Sequence, residues 1–140
     1  MEEIFRFDVE TRNLSSAVLA YIGDAVLELM FRLKFVGDCR VSSIHEKVKG
    51  YTSKHGQAQI LDFLWPLLTE EEREVAKRAM NSKTAKKHGN DILYRKSTGF
   101  EALVGFLFLK RDYRRIEELL QVVLNFESVR PKNSSGSSQK

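Results

Sequence analysis

Apolar residues fall along the chain in blocks of helical rather than alternating spacing. The first block is the densest. From Ala17 to Phe31 nearly every position is apolar, the exceptions being Gly23, Asp24 and Glu28. A helix over this block, capped by Asn13 or Ser15 and running to about Phe35, is apolar around almost its whole circumference. It is therefore expected to be the central, most buried element, ended by Gly37-Asp38. A second helix is predicted from Val41 to Lys49, with Ser42 or Ser43 as cap. A third opens near Thr52-Ser53 and runs through Gln57, Ala58, Ile60, Leu61 and Leu64 towards Pro66. Thr69-Glu70-Glu71-Glu72 is a capping box, with Thr69 as N-cap and Glu72 at the third helical position. The helix it opens reaches about Met80, acidic at its start and basic (Lys77, Arg78) at its end, as the macrodipole favours. Asn81 to Lys96 breaks the pattern and reads as a loop. Phe100 to Leu109 is a second intensely apolar helix carrying one acid, Glu101, and Arg114 to Phe126 is amphipathic. The expected fold is an all-α helical bundle of six or seven helices.

At 140 residues, 42% of them apolar, the chain is expected to form one domain. The flanks differ in kind: residues 1–13 read as a loosely docked arm, and 127–140 as a polar tail ending Ser-Ser-Gly-Ser-Ser-Gln-Lys, expected to be disordered. The net charge is +4, yet seven Lys and Arg lie between Lys77 and Lys96 against one acid, Asp91. The basic excess is thus local, and it points to a polyanionic partner. A single cysteine, Cys39, excludes an internal disulfide framework and fits a reducing cytosol. No basic-then-apolar leader is present, and the block at 17–31 is too short and too charged to span a bilayer. A soluble, cytoplasmic protein is expected.

Carboxylates inside apolar helices are the candidate chemistry, because an unpaired buried charge costs several kcal/mol. Asp24 must be paired, protonated, solvated in a cleft or bound to a cation. It could equally cap a neighbouring helix or pair with Arg32. Glu101 follows the same logic, or favours a helix dipole. Two such helices could converge their acids on a divalent cation, and Mg²⁺ needs few carboxylates because it keeps several waters. Glu28 stands four residues from both Asp24 and Arg32, so a salt bridge with Arg32 competes with any ligand role. His45, His55 and His88 show no zinc spacing with Cys39, and there is no Gly-rich phosphate loop. The segment Lys83–Lys96 is either a solvated surface loop or a grip for a phosphate backbone, in which each Lys or Arg releases counterions. A basic segment beside metal-binding acids would suit phosphodiester hydrolysis.

Leu19-Ala20-Tyr21-Ile22-Gly23-Asp24-Ala25 resembles the signature of the ribonuclease III family, and Phe100-Glu101-Ala102-Leu103 its second acidic motif. Small size and the segment Arg78-Ala79-Met80-Asn81-Ser82-Lys83 make the short Mini-ribonuclease III branch the closer resemblance, over roughly residues 14–126. The resemblance implies an all-α endonuclease domain acting as a homodimer on double-stranded RNA with Mg²⁺, leaving 5′-phosphate and 3′-hydroxyl ends. It also implies a role in maturing the ends of 23S ribosomal RNA. Asp24 and Glu101 match the catalytic, metal-binding acids, and Arg78, Lys83, Lys86 and Lys87 are the expected RNA-binding residues. Longer members carry two further acids where this chain has Ala20 and Thr98, a reduced set that the short branch shares. A leaner metal site follows. The rival expectation is an RNA-binding or ribosome-assembly module that kept the fold without the chemistry.

Overall fold

The computed structural model describes residues 7–38, 40–87 and 89–126. The expected tail, the first part of the arm, Cys39 and His88 lie outside the described residues. Among the described residues there are seven α-helices, three short 3-10 turns and no strand. Helix α1 (Ser16–Lys34) starts where the Ser15 hydroxyl accepts the Val18 N–H at 3.2 Å. Helix α2 spans Val41–Thr52, with Arg40 at its N-cap and no side-chain cap. The expected caps Ser42 and Ser43 instead lie inside its first turn. Ser53 opens α3 (Lys54–Leu64), and both capping-box hydrogen bonds, at 2.9 and 3.1 Å, open α4 (Glu70–Met80). A single turn, α5 (Lys83–Lys86), precedes α6 (Ile92–Leu109) and α7 (Tyr113–Asn125).

Two expectations are corrected. The segment 81–96 is not one loop: α5 interrupts it, and α6 begins at Ile92 rather than Phe100. Its polar first turns are helical because each polar group finds a partner. Asp91 caps the Leu93 N–H at 3.0 Å, Lys96 pairs with Asp62 at 2.9 Å, Ser97 bonds Gln57, and Thr98 bonds back to the Tyr94 carbonyl. Arg95 reaches the Met80 carbonyl (2.8 Å), Asn81 (2.8 Å) and Asn90 (3.2 Å), stapling both ends of the basic segment to α6.

The second correction concerns the centre of the molecule. That place belongs to α6, which packs against α1, α3 and α4 and is buried from Ser97 to Leu107 except at Glu101. Helix α1 buries only one face, formed by Leu19, Ala20, Gly23, Leu27 and Phe31. Its other face leaves Val18, Tyr21, Leu29 and Leu33 exposed, Tyr21 by 80%. An apolar circumference therefore signals two surfaces to cover, of which this chain covers one.

Where α1 crosses α6 the backbones touch. A Cβ on Gly23 would overlap the Glu101 carbonyl oxygen, and one on Gly105 would overlap the Leu19 carbonyl oxygen. Glycine at both positions is what permits the contact. Helix α7 closes the bundle through Arg115, which binds the buried Glu72 carboxylate with two hydrogen bonds (2.8 and 2.9 Å) and the Leu67 carbonyl at 2.9 Å. The described end of the arm is docked: Phe7 stacks on Phe108 with ring centres 5.9 Å apart, beneath the Arg111 guanidinium.

Candidate active site

The glycine crossing has a direct consequence. Asp24 follows Gly23 on α1, and Gly23 lies against the backbone of Glu101 on α6. Both side chains therefore open into one cleft of about 480 Å³. Its remaining walls come from α2 and α3 (Thr52, Lys54, Gln57) and the start of α6 (Tyr94, Ser97, Thr98). Asp24 is exposed and Glu101 half-buried, so of the options open to a carboxylate in an apolar helix, solvation in a cleft is the one realised for Asp24.

The two acids are electrostatically coupled. Burial pushes the Glu101 carboxyl up from its ordinary 4.5 to about 8, helped by the charge of Asp24 and by a carboxyl there within proton-sharing reach. The Gln57 amide opposes the shift, and Glu28 adds to it. Glu28 itself does not line the cleft. It binds Arg32 at 3.3 Å, so the salt-bridge alternative holds for Glu28. That contact engages Arg32, so a pairing of Asp24 with Arg32 is not what the described contacts show. Glu101 also sits in the middle of α6 rather than at its start, which removes the dipole reading.

Among the described residues no group of three or more His, Cys, Asp or Glu is placed to hold a metal ion. The donor set is two hard carboxylates, one open to solvent. Such a pair suits a hard cation that keeps most of its waters and would relieve the crowding of negative charge.

The expected RNA-binding residues lie elsewhere. Arg78 on α4, Lys83 and Lys86 on α5, and Lys87 just after it are all exposed and outside the cleft. The cation that does line the cleft is Lys54, bound to Asp91 at 3.0 Å and lying over the Tyr94 ring. Sequence reasoning missed it, and missed Gln57 and Ser97. One signal was available: Gln57 occupies the same helical stripe as Ile60, Leu61 and Leu64, a polar residue on a core face. Tyr21, in the middle of the helix expected to be most buried, is the most exposed large apolar residue of α1.

Residues 17–112 match the family model of the ribonuclease III domain, more than half of the chain. The helical architecture agrees: the crystal structure of a protein from Fusobacterium nucleatum superimposes with a TM-score of 0.76 at 26% identity, over 84% of this chain and all of that one. Fold and sequence together define a ribonuclease III domain. Mini-ribonuclease 3 of Kosmotoga olearia is 42% identical over 126 residues, covering 89% of this chain and 87% of its own length. That of Symbiobacterium thermophilum is 40% identical over 118 residues, 81% of this chain and 91% of its own, and that of Staphylococcus aureus 35% over 131 residues, 88% and 96%. The chain belongs to the ribonuclease III family, in its Mini-ribonuclease 3 branch, and is an endoribonuclease.

Proposed function

We propose that this endoribonuclease cuts double-stranded RNA with Mg²⁺, as a homodimer, and matures the ends of 23S ribosomal RNA in the cytoplasm. The observation that carries the site assignment is the convergence of Asp24 and Glu101 on one open cleft. These are the acids that would hold the ion. Bound there, Mg²⁺ supplies Lewis-acid stabilisation of the scissile phosphate and a water of lowered pKa.

The chain's own residues set the rest. Gly23 and Gly105 let the two helices meet at backbone contact, which brings both acids to one cleft. The partial burial of Glu101 removes competing water from one side of the pair, while exposed Asp24 faces the entering phosphate. Arg78, Lys83, Lys86 and Lys87 offer exposed positive charge for the phosphate backbone on a segment stapled by Arg95. A-form RNA buries its base edges in a narrow groove, so selection is by shape and 2′-hydroxyls. Residues 14–126 form the catalytic body. A second copy packs on the α1 stripe of Val18, Tyr21, Leu29 and Leu33, exposed large apolar side chains of the kind that mark an interface.

The test is cleavage of a perfectly paired RNA stem by the purified chain, with Mg²⁺ and with EDTA, beside Asp24→Asn. Metal-dependent cutting that this substitution abolishes is the expected result. Binding without cutting, equal in both proteins, would instead favour the non-catalytic module, with Ala20 and Thr98 standing where longer relatives carry acids.

A further inference from the structure

One polar group lining the cleft lacks a partner among the described residues. Gln57 is completely buried on α3, and its Oε1 accepts a 2.6 Å hydrogen bond from the Ser97 hydroxyl on α6. Its Nε2 has no hydrogen-bond partner among the described residues. A buried, unpaired N–H is costly, so a sequence that places one on a core stripe places it there for a reason. The orientation of the amide follows from chemistry. Turned the other way, the amide would take from the Ser97 hydroxyl proton the acceptor it uses. With Ser97 donating to Oε1, the donor end is left free in a cleft that Glu101 also lines.

From this geometry, and resting on the proposed metal-dependent function, we propose that Gln57, oriented by Ser97, is a positioning residue for Glu101. Its Nε2 donates to one Glu101 carboxylate oxygen and turns the other towards Asp24. The free donor is then the empty half of a hydrogen bond completed on loading the site. Outer partners of metal ligands act in this way, fixing the orientation of the ligand rather than touching the ion. Neither Gln57 nor Ser97 has to contact RNA for this.

The experiment is calorimetric titration of Mg²⁺ into the metal-free full chain, without RNA, for wild type, Gln57→Met, Ser97→Ala and the double variant. Steady-state cleavage is recorded in parallel. Gln57→Met keeps the side-chain length and removes both polar atoms. It is expected to weaken Mg²⁺ binding by about tenfold or more and to lower kcat, with KM for RNA changed by less than about twofold. Ser97→Ala should act in the same direction but less, and the double variant should be no worse than Gln57→Met alone. Wild-type Mg²⁺ affinity in Gln57→Met, or losses that simply add in the double variant, would overturn the proposal. If Gln57→Met does not fold by circular dichroism, unchanged Mg²⁺ affinity in Ser97→Ala overturns it instead. A wild-type chain that neither binds Mg²⁺ nor loses activity on Asp24→Asn would sink the underlying function, a different outcome from silent Gln57 and Ser97 variants.

Discussion

Glu72 shows how a single side chain can serve two purposes. It completes the capping box of α4, accepting the Thr69 N–H at 2.9 Å, and it receives the Arg115 fork from α7. Burial raises the pKa of its carboxyl, but the Arg115 and Thr69 hydrogen bonds and the Arg115 charge outweigh that and hold it below the ordinary 4.5. A depressed folded pKa means that the stabilisation is present above about 4.5 and lost as pH falls through the folded value. Arg115→Met should therefore destabilise the chain at neutral pH by about 2–3 kcal/mol, less than for a fully buried pair because the guanidinium keeps some solvent. Urea denaturation at pH 7 and pH 3 checks it: the gap between variant and wild type should shrink at the lower pH. The capping box was legible from Thr69 and Glu72 alone, since both bonds are local. The partner Arg115 was not, because forty-three residues separate it from Glu72.

Among the elements, the α1–α6 crossing decides the site. Each helix was readable as a helix from its own spacing, and each acid as an anomaly within it. Their meeting depends on Gly23 and Gly105 letting carbonyl groups approach where any Cβ would collide. Gly105→Ala is expected to push the helices apart, lowering stability by about 1–3 kcal/mol as overpacked cores do. It should also reduce cleavage more than a surface substitution of equal cost in stability, because Glu101 moves with α6. Thermal unfolding and cleavage rates of this variant, set beside Arg115→Met, separate the two effects: equal activity at equal stability would deny the crossing its role in aligning the acids. The polar start of α6 reads as loop in the sequence for a related reason. Tyr94 to Thr98 satisfy their polar groups on other helices and on their own preceding turn, and no pattern within the segment announces that.

For the whole molecule, the unresolved demand is the outer face of α1. Among the described residues no helix is long and apolar enough to cross a membrane, so that face is not explained by a bilayer-spanning segment. In the homodimer proposed above, Tyr21→Glu with Leu29→Glu should leave the fold intact, since both side chains are exposed, and split the assembly. Sedimentation should then fall from twice the 16.1 kDa chain mass to that mass itself. A double variant that sediments like the wild type would remove this face from the interface.

Sequence alone determined the class of the fold, the identity of most helices, the caps of α1, α3 and α4, the local basic excess and the two acids that stand out from apolar surroundings. These are properties of neighbours within a turn or two, where spacing and hydrogen bonding are set by the helix itself. Only the tertiary structure decided that α6 rather than α1 is the core, that Asp24 is open while Glu101 is half-buried, and that Gln57, Ser97 and Lys54 share their cleft. An apolar pattern counts the faces of a helix that avoid water; it does not name what covers them. That choice is made by contacts between residues far apart in the chain, and here by two glycines that allow backbones to meet.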